Sequence, residues 1–214
     1  MVKDMGTVVT LLDIACGRPI GAEDSGRARK LELTVLALLS SLVFAALWGA
    51  ALGSHTAGMA IANLYKVPMV ILLSGIFAAP AGLIAWRLAG APLKGSDLAL
   101  GFAGGVFGGT VVLAALAPLV ALYYHSSAWA GPVLGLGSAL LACATGAIVF
   151  LRSVAHRVEK GRSTFAAFIP VFVVLGMQLA TIIQLGAIAA PIFPERTPFS
   201  GGIDHIADSK VSTP

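Results

Sequence analysis

The chain has 214 residues, of which 57% are hydrophobic and only 11% carry a charge. An average soluble domain is about a quarter charged. A mean hydropathy of +0.91, with the charges gathered in short segments, therefore excludes an ordinary water-soluble domain and predicts an all-α, polytopic transmembrane helix bundle. The net charge of +4 is no footprint of nucleic acid, because basic residues in such a chain chiefly set its orientation in the bilayer.

Residues 1–30 form an N-terminal segment of mixed character. In MGTVVTLLDIACG, the residues Met5, Val8, Val9, Leu12 and Cys16 fall near one helical face, with Thr10 and Asp13 elsewhere. Two readings stand side by side: a short amphipathic helix on the membrane surface, or a frayed tail with some apolar residues. The stretch GRPIGAEDSGRARK, residues 17–30, reads as a linker. No secretory signal peptide is expected, because the first long apolar run begins at Leu31 and is too long for one.

Five spans follow within a membrane domain at 31–193. The first, Leu31–Leu52, places Ser41, Ala45, Gly49 and Gly53 four residues apart. The second, Val67–Trp86, does the same with Ser74, Ala78 and Gly82, and carries Pro80. The third, Leu98–Tyr123, contains GFAGGVFGGT. Neither a dinucleotide nor a P-loop fingerprint is present there, and the stretch lies inside an apolar span. It is thus helix rather than phosphate loop. Gly101, Gly105 and Gly109 make one row, and Gly104 and Gly108 a second. The fourth span, Gly131–Leu151, repeats the device with Gly131, Gly135, Ala139, Cys143 and Ala147. The fifth, Phe165–Ala189, is one long helix ended by Pro191 and Pro194. Residues 194–214 read as a disordered tail. Small-residue rows let helix backbones approach closely where lipid offers little hydrophobic drive for association. Phe107 is expected to project away from the Gly101–Gly105–Gly109 row, so that Phe107→Leu would be mild.

Eleven of the 14 Lys and Arg residues fall on the side that carries the N-terminus. By the positive-inside rule that side is the cytoplasm and the C-terminus lies outside. Trp48, Tyr65, Tyr123, Tyr124 and Trp129 would then form the outer aromatic belt, and Trp86 the inner one. Single cysteines at Ser163 and Ser200 in a cysteine-free background are expected to label from opposite sides, Ser200 from outside intact cells. Labelling of both from outside would sink the five-span topology.

No Asp, Glu, Lys, Arg or His lies deep in a span, which argues against proton relays and intramembrane acid–base catalysis. His55, His125, His156 and His205 lack metal-ligand spacing, and Cys16 and Cys143 suggest no disulfide. No metal, cofactor or catalytic residue is expected. The best intramembrane polar group is Gln178, Thr181 and Gln184, spread over about a third of one helix side. They read either as an interhelical hydrogen-bonding set or as contacts to a substrate or partner.

The stretches LLSSLVFAALWGAALGS, NLYKVPMVILLSG and LAPLVALYYHSS resemble a family of uncharacterised bacterial polytopic membrane proteins. In that family K-V-P opens the second span and A-P-x-x-x-x-Y closes the third. Lys66-Val67-Pro68 and Ala117-Pro118 through Tyr123 match. The five-helix plan is similar in layout to Yip1-type membrane proteins. The resemblance implies a bacterial cytoplasmic (inner) membrane and supplies no catalytic residues. The chain therefore reads as a non-catalytic scaffold or accessory subunit. Its expected partners are membrane lipids and other membrane subunits or a second copy. The alternative is a carrier or channel for a small or lipid-like molecule, favoured if Gln178, Thr181 and Gln184 line a water-filled cavity.

Overall fold

The computed structural model describes residues 2–18, 26–91, 94–126, 130–158, 164–190 and 192, without the side chains of residues 2–5 and 164. These residues are all-helical: α1 (Val2–Ala15), α2 (Arg27–Leu52), α3 (Ala57–Leu88), α4 (Gly95–Ser126), α5 (Ala130–Ala155) and α6 (Thr164–Ile188). Five of them, α2 to α6, are long and apolar enough to cross a membrane, and the chain is a membrane-embedded, multi-pass helix bundle. The side chain of Met5, residues 19–25, Trp129, Ser163 and the tail at 194–214 lie outside the described set.

Helices are the natural solution for these runs, because every backbone group in hydrocarbon must be bonded within its own segment. The outward faces remain apolar. Val35, Leu39, Val43 and Leu47 form an exposed row along α2, each more than half accessible. Such a surface suits lipid rather than water.

Hydropathy sets most boundaries well, but α3 starts at Ala57 and not at Val67. Asn63, Tyr65 and Lys66 lower the hydropathy of its first turns. The start is instead marked by a polar cap, with the Thr56 hydroxyl accepting from the Met59 amide at 3.3 Å. Pro68 consequently lies inside the helix, with Pro80. Likewise α2 begins at Arg27, inside the expected linker, rather than at Leu31.

Helices α2 to α6 alternate in direction, and α2 lies between α3 and α4. α4 runs along α5, and α3 along α6. α5 meets α6 only lightly, about Phe150, Val154, Ala167 and Val171. The N-terminus of α2, the C-terminus of α3 and the N-terminus of α4 share one end, here called the basic end. The two larger apolar cores lie one there, around Leu98, Phe150 and Val174, and one at the far end, around Trp48, Leu52, Val67 and Val120.

Three sequence expectations are corrected by side-chain placement. Trp48 and Tyr124 belong to the far core rather than to a lipid-facing belt. The Trp48 Nε1 donates to the Ser138 hydroxyl at 2.9 Å, tying α2 to α5. Tyr65 and Tyr123 are exposed. On α5 the buried face is Gly131, Gly135, Ser138, Ala142 and Val149, while Cys143 is exposed. A strict four-residue row drifts around a helix of 3.6 residues per turn, so the contact line steps back from Ala139 to Ser138 and from Cys143 to Ala142. Phe107 is buried and stacked on Phe44 at 5.9 Å, so its truncation is no neutral control. In α1 the apolar residues Val8, Val9 and Leu12 remain exposed, and the helix docks on the bundle through Leu11, Ile14 and Ala15 on an adjacent side.

Candidate functional site

Three features of the bundle bear on function: the glycine helix α4, the polar face of α6, and a cavity beneath the basic end. In α4 the two glycine rows serve different partners. A Cβ on Gly105 would stand 2.7 Å from the Gly146 carbonyl oxygen of α5. One on Gly109 would stand 2.7 Å from that of Ala142, and one on Gly101 3.2 Å from the Ser153 hydroxyl. The second row holds α1. A Cβ on Gly104 would meet the Ile14 side chain at 2.6 Å, and one on Gly108 the Ala15 carbonyl at 2.9 Å. α4 is thereby a central post gripped on adjacent sides. The other small residues close loops or neighbouring helices. Gly49 lies against the Asn63 backbone, a Cβ on Gly53 would stand 2.5 Å from the Met59 and Ala60 backbone, and one on Gly131 3.0 Å from Tyr124. Gly135 is buried in α5, its carbonyl accepting from Ser138 at 2.7 Å.

At the basic end a charged cluster joins three helices. Asp97, in the first turn of α4, accepts from Lys30 Nζ of α2 at 2.6 Å and faces Arg157 Nε, just beyond α5, at 3.7 Å. The three side chains are each 12% exposed. A carboxylate at a helix N-terminus is favoured by the helix dipole. Arg157 also donates to the Ser153 carbonyl at 3.2 Å and to the Ser153 hydroxyl, capping α5. Burial pulls the Arg157 pKa down, and the Asp97 charge opposes that shift. Sequence reading missed this cluster. Its only signal was a lone aspartate opening a span on a side rich in Lys and Arg. Asn63 was missed too: it is fully buried and donates to the Ile192 carbonyl at 2.6 Å, fastening the chain beyond α6 to the start of α3.

The α6 polar group is not brought together around a cavity. Thr181 donates to its own helix at the Met177 carbonyl, 2.7 Å away. Gln178 is half-buried and Gln184 exposed, and neither amide has a hydrogen-bond partner among the described residues. The buried residues of α6, Ala167, Pro170, Val171 and Val174, all lie in its first half; from Leu175 to Ile188 none is buried. A Cβ on Gly176 would touch nothing within 4 Å, and Ala180 is exposed.

The cavity, about 300 Å³, lies among α2, α3 and α4, with Phe150 of α5 and Val174 of α6 at its back. Its wall is apolar apart from the Thr34 and Ser41 hydroxyls, and each of these donates to its own helix at 2.7 Å. A wider recess of about 770 Å³ adjoins it at the basic end. Among the described residues no group of three or more His, Cys, Asp or Glu could hold a metal ion.

No family model, no curated relative and no solved structure matches the chain.

Proposed function

We propose that the chain is a non-catalytic subunit of the bacterial cytoplasmic membrane, docking a partner helix along the second half of α6. The observation that carries this is the amide of Gln184, without a hydrogen-bond partner among the described residues, in line at four-residue spacing with the open small positions Gly176 and Ala180, on a stretch where nothing is buried. An amide without a partner in hydrocarbon is costly. Small residues let a second backbone come near enough for that amide to bond across helices. The partner is another membrane subunit or a second copy of this chain. The basic end faces the cytoplasm, as the Lys and Arg distribution suggests. The bacterial assignment rests on the resemblance carried by Lys66-Val67-Pro68 and Ala117-Pro118. A carrier for a polar solute finds less support, because the cavity is not lined by Gln178, Thr181 or Gln184.

Extraction in mild detergent tests the reading. The particle is expected to exceed the 21.8 kDa of one chain, through a second copy or a co-purifying protein. The double variant Gly176→Leu/Gln184→Leu should reduce it to the single chain while leaving its melting temperature unchanged, since a Cβ on Gly176 meets nothing within 4 Å and Gln184 is exposed. A wild-type particle containing one chain and no other protein would refute it.

A further inference from the structure

We propose that the basic end holds one anionic phospholipid, its headgroup in the wide recess and one acyl chain in the apolar cavity. The inference is independent of the subunit reading, since it concerns α2, α3 and α4 rather than the open half of α6. A recess edged by cations is joined to a cavity that is apolar apart from two hydroxyls. The recess is lined by Arg27, Lys30 and Lys94, the cavity by aliphatic and aromatic side chains, and Gly95 and Ala99 belong to both walls. Trp86 sits at the joint, its ring 3.8 Å from where a Cβ on Gly95 would stand. An indole at the border between polar and apolar zones matches the headgroup level of a bilayer.

Charge selects the occupant. Asp97 is already engaged by Lys30 and Arg157, whereas Arg27 and Lys94 have no carboxylate partner among the described residues. The recess therefore keeps an excess of positive charge that a phosphodiester would neutralise. The cavity selects the tail. Its hydroxyls donate to their own helices, so no donor is left for a polar solute. An apolar space of this kind stays dry and suits hydrocarbon. Access is sideways from the bilayer: Ile76 and Leu83 on the α3 wall are 55% and 50% exposed. A lipid can enter there without passing through the bundle.

The test is native mass spectrometry of the full chain in mild detergent, titrated with dioleoyl-phosphatidylglycerol or with dioleoyl-phosphatidylcholine. Wild type is expected to take up one phosphatidylglycerol with about thirtyfold preference over phosphatidylcholine, as two cations without a carboxylate partner among the described residues imply at the headgroup level. Arg27→Gln/Lys94→Gln should bring the two lipids to parity. Gly75→Leu is expected to weaken both. Its Cβ would meet only the Phe102 ring, at 3.4 Å, and the remainder of the side chain would occupy the acyl space. Equal uptake of both lipids by wild type, or a preference that survives the charge variants, would overturn the proposal. So would displacement of the lipid by inorganic phosphate, which would assign the recess to a free anion, or undiminished binding by a folded Gly75→Leu variant.

Discussion

Gly105→Leu is expected to be among the most damaging single substitutions in the molecule. The Cβ of any residue there would lie 2.7 Å from the Gly146 carbonyl oxygen and 3.0 Å from the Phe150 Cβ. The relation is reciprocal, since a Cβ on Gly146 would stand 2.8 Å from the Gly105 carbonyl oxygen. Backbone faces backbone, so no rotamer change can relieve the clash and the two helix axes must separate. Overpacking a core costs about 1–3 kcal/mol, and the top of that range is expected because α4 and α5 would lose dispersion contacts along their length. Gly137→Leu on α5 is the proper control, because a Cβ there meets nothing within 4 Å; its effect should stay within about 0.5 kcal/mol. Thermal unfolding in detergent would compare the two. Equal stability would mean that α4 and α5 do not meet through their glycines.

Asp97→Ala is expected to act on a similar scale by a different mechanism. Lys30 and Arg157 would be left as two cations, each 12% exposed, with their common carboxylate gone. Removing one partner of a buried ion pair costs about 3–5 kcal/mol, because the remaining charge has no compensation. The loss should loosen three elements at once: the start of α2, the start of α4 and the end of α5. The comparison is Glu32→Ala. Glu32 is 56% exposed and pairs with Arg29 at 2.9 Å, and an exposed pair contributes about 0–1 kcal/mol. Unfolding midpoints of the two variants would separate the cases. A mild Asp97→Ala would show that water reaches Lys30 and Arg157.

What the sequence revealed, and what it hid, follows from the range of each interaction. The five spans were legible because run length and hydropathy are local properties. The start of α3 was not, because hydropathy is blind to the Thr56 cap. The glycine rows on α4 were visible as rows, but their division between α1 and α5 was not, since the opposing helix is a tertiary fact. The α5 row was read one position off at Ala139 and Cys143 because four is not 3.6. Trp48 and Tyr124 looked interfacial by position along the chain, and their burial depended on which way α2 and α4 face. Asp97 finds Lys30 67 residues away and Arg157 60 residues away, beyond any periodicity. The joining of a basic recess to an apolar cavity is likewise formed by residues from separate helices.

The measurement that bears most directly on the central claim is site-specific photo-crosslinking in native membranes. A photoreactive residue at position 184 is expected to yield a discrete adduct heavier than the chain alone, containing a second copy or another membrane protein. The same residue at Val35, on the exposed row of α2, should yield only lipid adducts. If position 184 gives lipid adducts alone, with the same yield as position 35, the second half of α6 faces bulk bilayer and the subunit reading fails.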